Sequence, residues 1–333
     1  MHAAGADRGA AARLGQSPRM SRTLTPRIAL LLTLPPLMWA GNAVVGRLAV
    51  PLAPPAALNL ARWGLVALLL LPLGWRVLRQ GRAIRARLGY LLPLGVLGVG
   101  TYNGLQYLAL HTSTPLTVTL IAASSPVWML LIGAFAYRTR PSGREIAGAA
   151  LSLLGVAVVL SRGHLESLLA LRFVTGDLLM LLAIFAWAVY SWLLARPPAS
   201  MQGPARPAWN WAEMLLVQVA FGLVWSGAGA GLEALLSPAR WHWSPWLPAL
   251  LLYVAIGPSI IAYRAWGIGV ATVGPAVAAF FGNLTPLFAA LLSALVLGEA
   301  PRWFHALAFA LIVAGILVSS PGVRLPHADA KKV

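Results

Sequence analysis

The fold class the sequence predicts is an all-α polytopic membrane protein, with about ten transmembrane helices arranged as two inverted five-helix repeats. Three observations carry that expectation. With 59% hydrophobic residues and only 25 basic and 8 acidic side chains in 333, the chain cannot clothe a soluble core in charge, so its solvent is lipid. Apolar runs of about twenty residues, each long enough to cross about 30 Å of hydrocarbon, follow one another along nearly the whole length. The punctuation of the first half then recurs in the second at a fixed offset. Because lipid offers backbone groups no partners, and the runs lack barrel-like alternation, each run is expected to be a helix.

Taken in order, the arm of residues 1–27 is rich in Ala, Gly and Arg and reads as disordered. Met20, ahead of SRTLTPR, offers an alternative start. The first half, 28–161, carries runs from Ile28 to Leu48, Pro55 to Trp75, Gly89 to Leu110, Pro115 to Tyr137 and Glu145 to Ser161. A connecting loop, 162–175, leads to the second half, 176–319. Its runs extend from Gly176 to Leu194, Ala212 to Gly231, Pro248 to Val270, Pro275 to Leu297 and Trp303 to Ser319. A basic tail, 320–333, follows. The first run, IALLLTLPPLMWAGNA behind a basic arm, also has the build of a secretory signal, but the repeat requires it as a retained helix.

Basic residues collect on alternate connections. Arg8, Arg13, Arg19, Arg22 and Arg27 lie in the arm, and Arg76, Arg79, Arg82, Arg85 and Arg87 follow the second run. Arg138, Arg140 and Arg144 follow the fourth, Arg196 and Arg206 the sixth, and Arg324, Lys331 and Lys332 lie in the tail. The opposite side holds only Arg162, Arg172, Arg240 and Arg302. Positively charged loops stay in the cytoplasm, so both termini are expected there, in a multi-pass protein of the cell (inner) membrane. The net charge of +17 is spread over short connections rather than gathered on one polar face, which argues against nucleic acid as a partner. The absence of cysteine excludes disulfides, thiolate metal sites and cysteine nucleophiles.

Sliding the chain by 160 residues lays TSTPLTVTLIAASSP (112–126) on TVGPAVAAFFGNLTP (272–286). Thr112 then pairs with Thr272, Pro115 with Pro275, Pro126 with Pro286, Pro141 with Pro301 and Gly155 with Gly315. At a shorter offset, LMWAGNAVVGR around Trp39 matches IFAWAVYSWLLAR around Trp187, the difference being taken up by the insert RPPASMQGPARPAWN. An odd number of spans per half makes the second copy enter the membrane from the opposite side, and inverted repeats around a midplane site are a transporter architecture.

The segments GDLLMLLAIFAWAVY, YNGLQYLAL, PVWMLLIGAFAY and LTPLFAALLSALVLGEAPRW resemble the EamA-type transporters of the drug/metabolite transporter superfamily. The resemblance covers Arg27 to about Ser319. It implies a ten-helix carrier of small metabolites, often an exporter of amino acids or related compounds, whose cavity is lined by helices of both repeats. One departure stands out: the family's Gly-Glu pair fits Gly298 and Glu299, but Arg138 and Thr139 occupy the equivalent places in the first half.

Most acids read as helix caps. Ser142 with Glu145 and Asn210 with Glu213 have capping-box spacing, and Asp177 begins the sixth helix. Asp7, Glu166, Glu233 and Asp329 fall in arms or loops, and Glu299 at the ninth helix's end. With His111 and His305 near helix ends, only Glu213 is left as a candidate for moving protons, so carboxylate-based coupling is not supported. Of the arginines within runs, Arg47 is placed to snorkel. Arg62 and Arg264 lie deeper without evident acidic partners. Each meets either backbone carbonyls or helix C-termini, as structural arginines do, or an anionic group of the substrate. Arg62, on a helix expected at the periphery, is the weaker of the two.

Candidate substrate contacts are Trp39, Asn42, Tyr102, Asn103, Tyr107, Trp187, Tyr190, Tyr263, Arg264, Trp266 and Asn283, all within runs. Asn103 and Tyr107 share one helical face, as do Tyr263 and Trp266, and Asn103 falls on Tyr263 in the repeat register. Trp75, Trp209, Trp211, Trp241, Trp243, Trp246 and Trp303 are expected in interfacial belts. Gly95, Gly98, Gly100 and Gly104 have the spacing of close helix packing rather than of a nucleotide loop. Pro115 suits a first helical turn begun by Thr112, whereas Pro126 and Pro286 fall mid-run and are expected to kink their helices as hinges or gates. The expected partners are a small-molecule metabolite and the bilayer. No cofactor, metal or ATP site is expected, and monomer or homodimer is left open. A membrane enzyme acting on a lipid-linked substrate is the alternative, and it needs a clustered acid, histidine or nucleophile pair near an interface.

Overall fold

The computed structural model describes residues 24–49, 52–236, 240–297 and 302–320. The described residues are nearly all helical, and no strand occurs among them. In chain order, leaving aside the single turn Gly81–Arg85, the helices are α1 (Pro26–Ala49), α2 (Pro55–Gly74), α3 (Leu88–Leu94), α4 (Tyr102–Ala109), α5 (Pro115–Ala123), α6 (Ser125–Tyr137) and α7 (Gly143–Leu160). The second half gives α8 (Thr175–Ala195), α9 (Trp211–Leu236), α10 (Leu247–Val254), α11 (Ala262–Val273), α12 (Pro275–Gly282), α13 (Thr285–Leu297) and α14 (Trp303–Ser319). Seven helical stretches among the described residues are long and apolar enough to cross a membrane: Pro55–Arg79, Thr117–Tyr137, Gly143–Leu160, Thr175–Ala195, Trp211–Leu236, Leu247–Val273 and Pro275–Leu292. Trp303–Ser319 is apolar but, at 17 residues, shorter.

Irregularities recur in the repeat register. Between α3 and α4 the segment Gly95–Thr101 is π-helical, and so is Ala255–Ile261 between α10 and α11, 160 residues on. The break between α5 and α6 at Ser124 likewise has its counterpart between α12 and α13. Pro126 and Pro286 each stand in the first turn after such a break, where a missing amide costs nothing and the preceding residues are pushed out of the helix. Pro115 opens α5, but Thr114, not Thr112, caps it: the Thr114 hydroxyl accepts from Thr117 N–H at 3.2 Å.

Packing repeats the same relation. Helix α8 rests on α4 and α6 of the first half, while α1 rests on α11 and α13 of the second, and the equivalent pairs α2 with α9 and α7 with α14 lie side by side. Partners exchange between halves as they do under a two-fold operation. In the α7–α14 pair the approach demands glycine, because a Cβ on Gly148 or on Gly315 would come within 2.7 Å of the other's carbonyl oxygen.

Both capping boxes form, Asn210 N–H donating to Glu213 Oε2 at 2.8 Å and Ser142 N–H to Glu145 Oε2 at 2.8 Å. Glu233 is not in a loop. It lies in α9, where its carboxylate accepts from Ala56 and Ala57 N–H and caps α2. Trp209 is buried and donates to Gln80 Oε1 at 2.8 Å. Arg138 ends α6 with φ at 53°, the left-handed conformation for which glycine is the ordinary residue, so the departure from the Gly-Glu pattern falls on a strained position. Gly298, Glu299, Pro301, the arm up to residue 23, the tail from 321 and the Arg47 side chain lie outside the described residues.

Candidate functional site

The site grows from the two π-helical segments. Widening a helix by one residue strips carbonyls of their usual amide partner. Pro258, which has no N–H, further orphans Val254 O, and the Ser259 hydroxyl takes that carbonyl at 2.7 Å. The equivalent carbonyls Gly98 O and Pro258 O each accept from an aromatic donor of the opposite half: Tyr263 O–H at 2.5 Å and Trp39 Nε1–H at 3.2 Å. A Cβ on Gly98 would meet the Tyr190 ring at 2.5 Å, so the glycine is what admits that ring.

Residues that correspond in the repeat touch one another here. Asn103 Nδ2 donates to the hydroxyl of Tyr263, its mate, at 3.1 Å. Trp39 and Trp187, also mates, meet edge to face at 5.4 Å. Under a two-fold operation a residue reaches its own mate only near the axis. The cluster therefore sits where the halves meet.

Trp187 is its hub, with ring centroids 5.0 Å from Tyr102, 5.2 Å from Tyr190 and Trp266, and 5.6 Å from Tyr263. Ser191, one turn on, accepts from Trp266 Nε1 at 3.0 Å and donates to Trp187 O. Tyr190 O–H donates to Gln218 Oε1 at 3.2 Å, tying α8 to α9. Beside the rings lies a directional chain of hydrogen bonds. Arg62 Nη1 donates to Asn103 Oδ1 at 3.2 Å and to Tyr107 O–H at 3.4 Å, Asn103 donates to Tyr263, and Tyr263 to Gly98 O. Arg62 Nε donates to Ser259 Oγ at 2.7 Å.

A cavity of 1640 Å³ opens from this cluster toward the connection between α8 and α9. Tyr190, Gln218 and Tyr263 line it, together with Trp211, Arg196, Arg206 and Arg264 and with no acidic side chain. Arg264 stacks over Trp211, its guanidinium carbon 4.2 Å from the ring centroid. The connecting segment is held in place by Arg87, which donates to Ser200 O and Ala205 O. The chamber wall is cationic and aromatic, suited to an anionic group carried on an apolar or planar body.

Of the sequence candidates, Trp39, Tyr102, Asn103, Trp187, Tyr190, Tyr263 and Trp266 come together in the cluster, Tyr107 joins through Arg62, and Arg264 faces the cavity. Asn42 lies one turn beyond Trp39, and its Oδ1 has no partner among the described residues. Asn283 stands apart, donating to Ser152 Oγ at 2.8 Å where the α12–α13 break meets α7. Arg62 is not peripheral: it is among the most buried side chains, because α2 is wedged between α9 and the second π segment. Sequence reading missed Trp63, Gln218 and Ser259. Only Ser259's place after a mid-run proline signalled it.

A family model described as the EamA-like transporter family matches residues 26–161 and again 174–320. An uncharacterized transporter of Archaeoglobus fulgidus is 27% identical over 87% of this chain and 96% of its own length. The aromatic amino acid exporter YddG of Ancylobacter novellus is 28% identical over 68% of this chain and 76% of its own. A probable amino-acid metabolite efflux pump of Salmonella typhimurium is 25% identical over 87% and 93%. A solved crystal structure superposes with a TM-score of 0.64 at 23% identity, covering 89% of this chain and 97% of the other, and so shares the fold. Matched in both halves by one family model, the chain is a membrane protein that belongs to the EamA-like transporter family.

Proposed function

We propose that this protein is a secondary carrier, an exporter or facilitator of small zwitterionic or anionic metabolites such as amino acids or related compounds. In this reading ten helices cross the membrane as two inverted five-helix repeats, 28–161 and 176–319, with both termini cytoplasmic. The two halves close in turn around the aromatic cluster, opening it first to one side and then to the other. The observation that carries the reading is the contact of repeat mates, Asn103 with Tyr263 and Trp39 with Trp187, beside a cavity that Tyr263 itself lines. The relatives named as an aromatic amino acid exporter and a probable amino-acid metabolite efflux pump support the substrate class.

In this mechanism Arg264 meets the substrate's negative group as it enters the cavity, Trp211 and Tyr190 receive its body, and Trp187 closes the floor. Switching requires the rings to part from the opposite side, with the breaks before Pro126 and Pro286 as hinges. The test is counterflow into liposomes with a panel of amino acids and related metabolites. Saturable exchange with at least one of them is expected. Silence across a broad panel, together with turnover of a lipid-linked substrate, would establish the enzyme reading instead.

A further inference from the structure

Arg62 carries the clearest unanswered charge in the molecule. It is 2% exposed, and its hydrogen-bond partners, Ser259, Asn103 and Tyr107, are all neutral. Its Nη2 makes no hydrogen bond among the described residues. The nearest acid along the same helix pair, Glu233, spends both oxygens on Ala56 and Ala57 N–H, about 8 Å along α2 from Arg62 at the ordinary helical rise. Among the described residues the sole ion pair is His164 with Glu166, on an exposed loop.

A guanidinium does not shed its proton, so burial cannot be relieved by neutralisation as it is for lysine. Burying a cation among neutral dipoles alone is unfavourable unless an anion joins it. A second observation points the same way. Trp63, the next residue on α2, is fully buried, and its indole Nε1–H has no partner among the described residues. Its ring lies 5.3 Å from the Arg62 guanidinium carbon. A charge with no counter-charge and an unpaired N–H donor thus stand side by side in the wall of the central cluster, with Tyr263 edge to face on Trp63 at 5.1 Å.

We propose that Arg62 and Trp63 form a resident-anion site, occupied by one monovalent anion in the resting protein and vacated when a carboxylate of the substrate takes its place. The resident ion is a small halide or carboxylate, held by charge and two N–H donors. The first half of this proposal stands on the surroundings of Arg62 and Trp63; the second half, displacement by substrate, rests on the carrier reading. The arrangement gives the carrier an order of events: the substrate's anionic group meets Arg264 in the cavity and then exchanges with the ion at Arg62 as the halves close.

Thermal unfolding of the purified protein tests the site without any transport assay. The baseline is a bulky sulfonate buffer salt, too large for a closed pocket, and chloride or acetate replaces it at constant ionic strength. The wild-type melting temperature is expected to rise saturably by at least about 2 °C with one or both of the small anions, since a ligand bound only by the folded state stabilises it by mass action. Chloride alone would identify an inorganic resident, and acetate alone the carboxylate. Arg62→Met is expected to abolish the rise, Arg62→Lys to keep it with a changed midpoint, and Arg264→Gln to leave it in place. If Arg62→Met does not fold, Trp63→Phe, which removes the unpaired N–H donor while keeping an aromatic ring in its place, is expected to shift the midpoint at least threefold. No saturable response in the wild type, or one that survives in Arg62→Met or is untouched in Trp63→Phe, overturns the proposal. Counterflow in liposomes is a separate readout, so failure of the anion site and failure of the carrier reading are distinguishable.

Discussion

Removing the Tyr263 hydroxyl is the most informative single perturbation of the central cluster. That oxygen accepts from Asn103 and donates to Gly98 O, and the side chain is 4% exposed, so water does not take over either bond. Tyr263→Phe leaves the Asn103 amide and a carbonyl of the π segment unsatisfied, at about 1–3 kcal/mol each, hence about 2–4 kcal/mol in total once partial relaxation is allowed. Asn103→Ala deprives Tyr263 of a donor and Arg62 of an acceptor, a loss of the same order. Because both variants delete the same Asn103–Tyr263 bond, the double variant is expected to cost less than the sum of the singles by about 1 kcal/mol. Denaturant unfolding in mixed micelles gives the three differences. Additivity within about 0.3 kcal/mol would refute the reasoning, because uncoupled residues are not in contact at a shared axis.

The remaining predictions follow from particular positions. Arg138→Gly relieves the left-handed strain at the end of α6 and should stabilise the fold by about 0.5–1 kcal/mol in the same unfolding assay; a loss of stability would show that the arginine's contacts outweigh its backbone. Gly98→Ala drives a methyl into the Tyr190 ring and should cost about 1–3 kcal/mol, with a measured change under about 0.5 kcal/mol counting against the close approach. Pro126→Ala and Pro286→Ala should each slow counterflow while sparing stability, since they let a broken helix heal; unchanged rates in both would remove the hinge role. Arg264→Gln should raise the KM for anionic substrates about tenfold with a smaller effect on kcat, partly restored by Arg264→Lys; an unchanged KM would take Arg264 off the entry route.

How much of this was legible in the sequence depends on what each feature needs in order to show. Helices are written in the apolar runs, and the repeat in residues whose backbone demands are unusual: the prolines at 115, 126, 275 and 286 mark helix starts in both halves because no other residue tolerates a missing amide so well there. Trp187, Tyr190, Tyr263 and Trp266 were identifiable because aromatic and polar groups at helical spacing are conspicuous against leucine and valine. The wet face was not. In a helix that is apolar all round no moment distinguishes core from lipid, which is why Asn283, as deep in its run as Asn103, was grouped with the cluster although it serves the α7 contact. Apart from Pro258, the π-helical turns leave no trace in the apolar runs, so the freed carbonyls that orient Tyr263 and Trp39 are not foreseeable from the sequence. Arg62 reads as peripheral in the sequence for a related reason: a carboxylate partner can be sought along a sequence, whereas neutral partners from two distant helices become visible only in three dimensions.

The absence of cysteine makes the central claim, access alternating between two equivalent sides, directly measurable by thiol labelling. Gly267 lines the present cavity, and a Cβ there meets nothing within 4 Å, so Gly267→Cys is accommodated. Its mate in the repeat register is Tyr107, on the other half. In oriented vesicles, a membrane-impermeant thiol reagent is expected to reach the Gly267→Cys thiol only from the side of the α8–α9 connection and the Tyr107→Cys thiol only from the opposite side. A transported substrate should change the two rates in opposite senses. Labelling of both thiols from one and the same side, unaffected by substrate, would contradict the account.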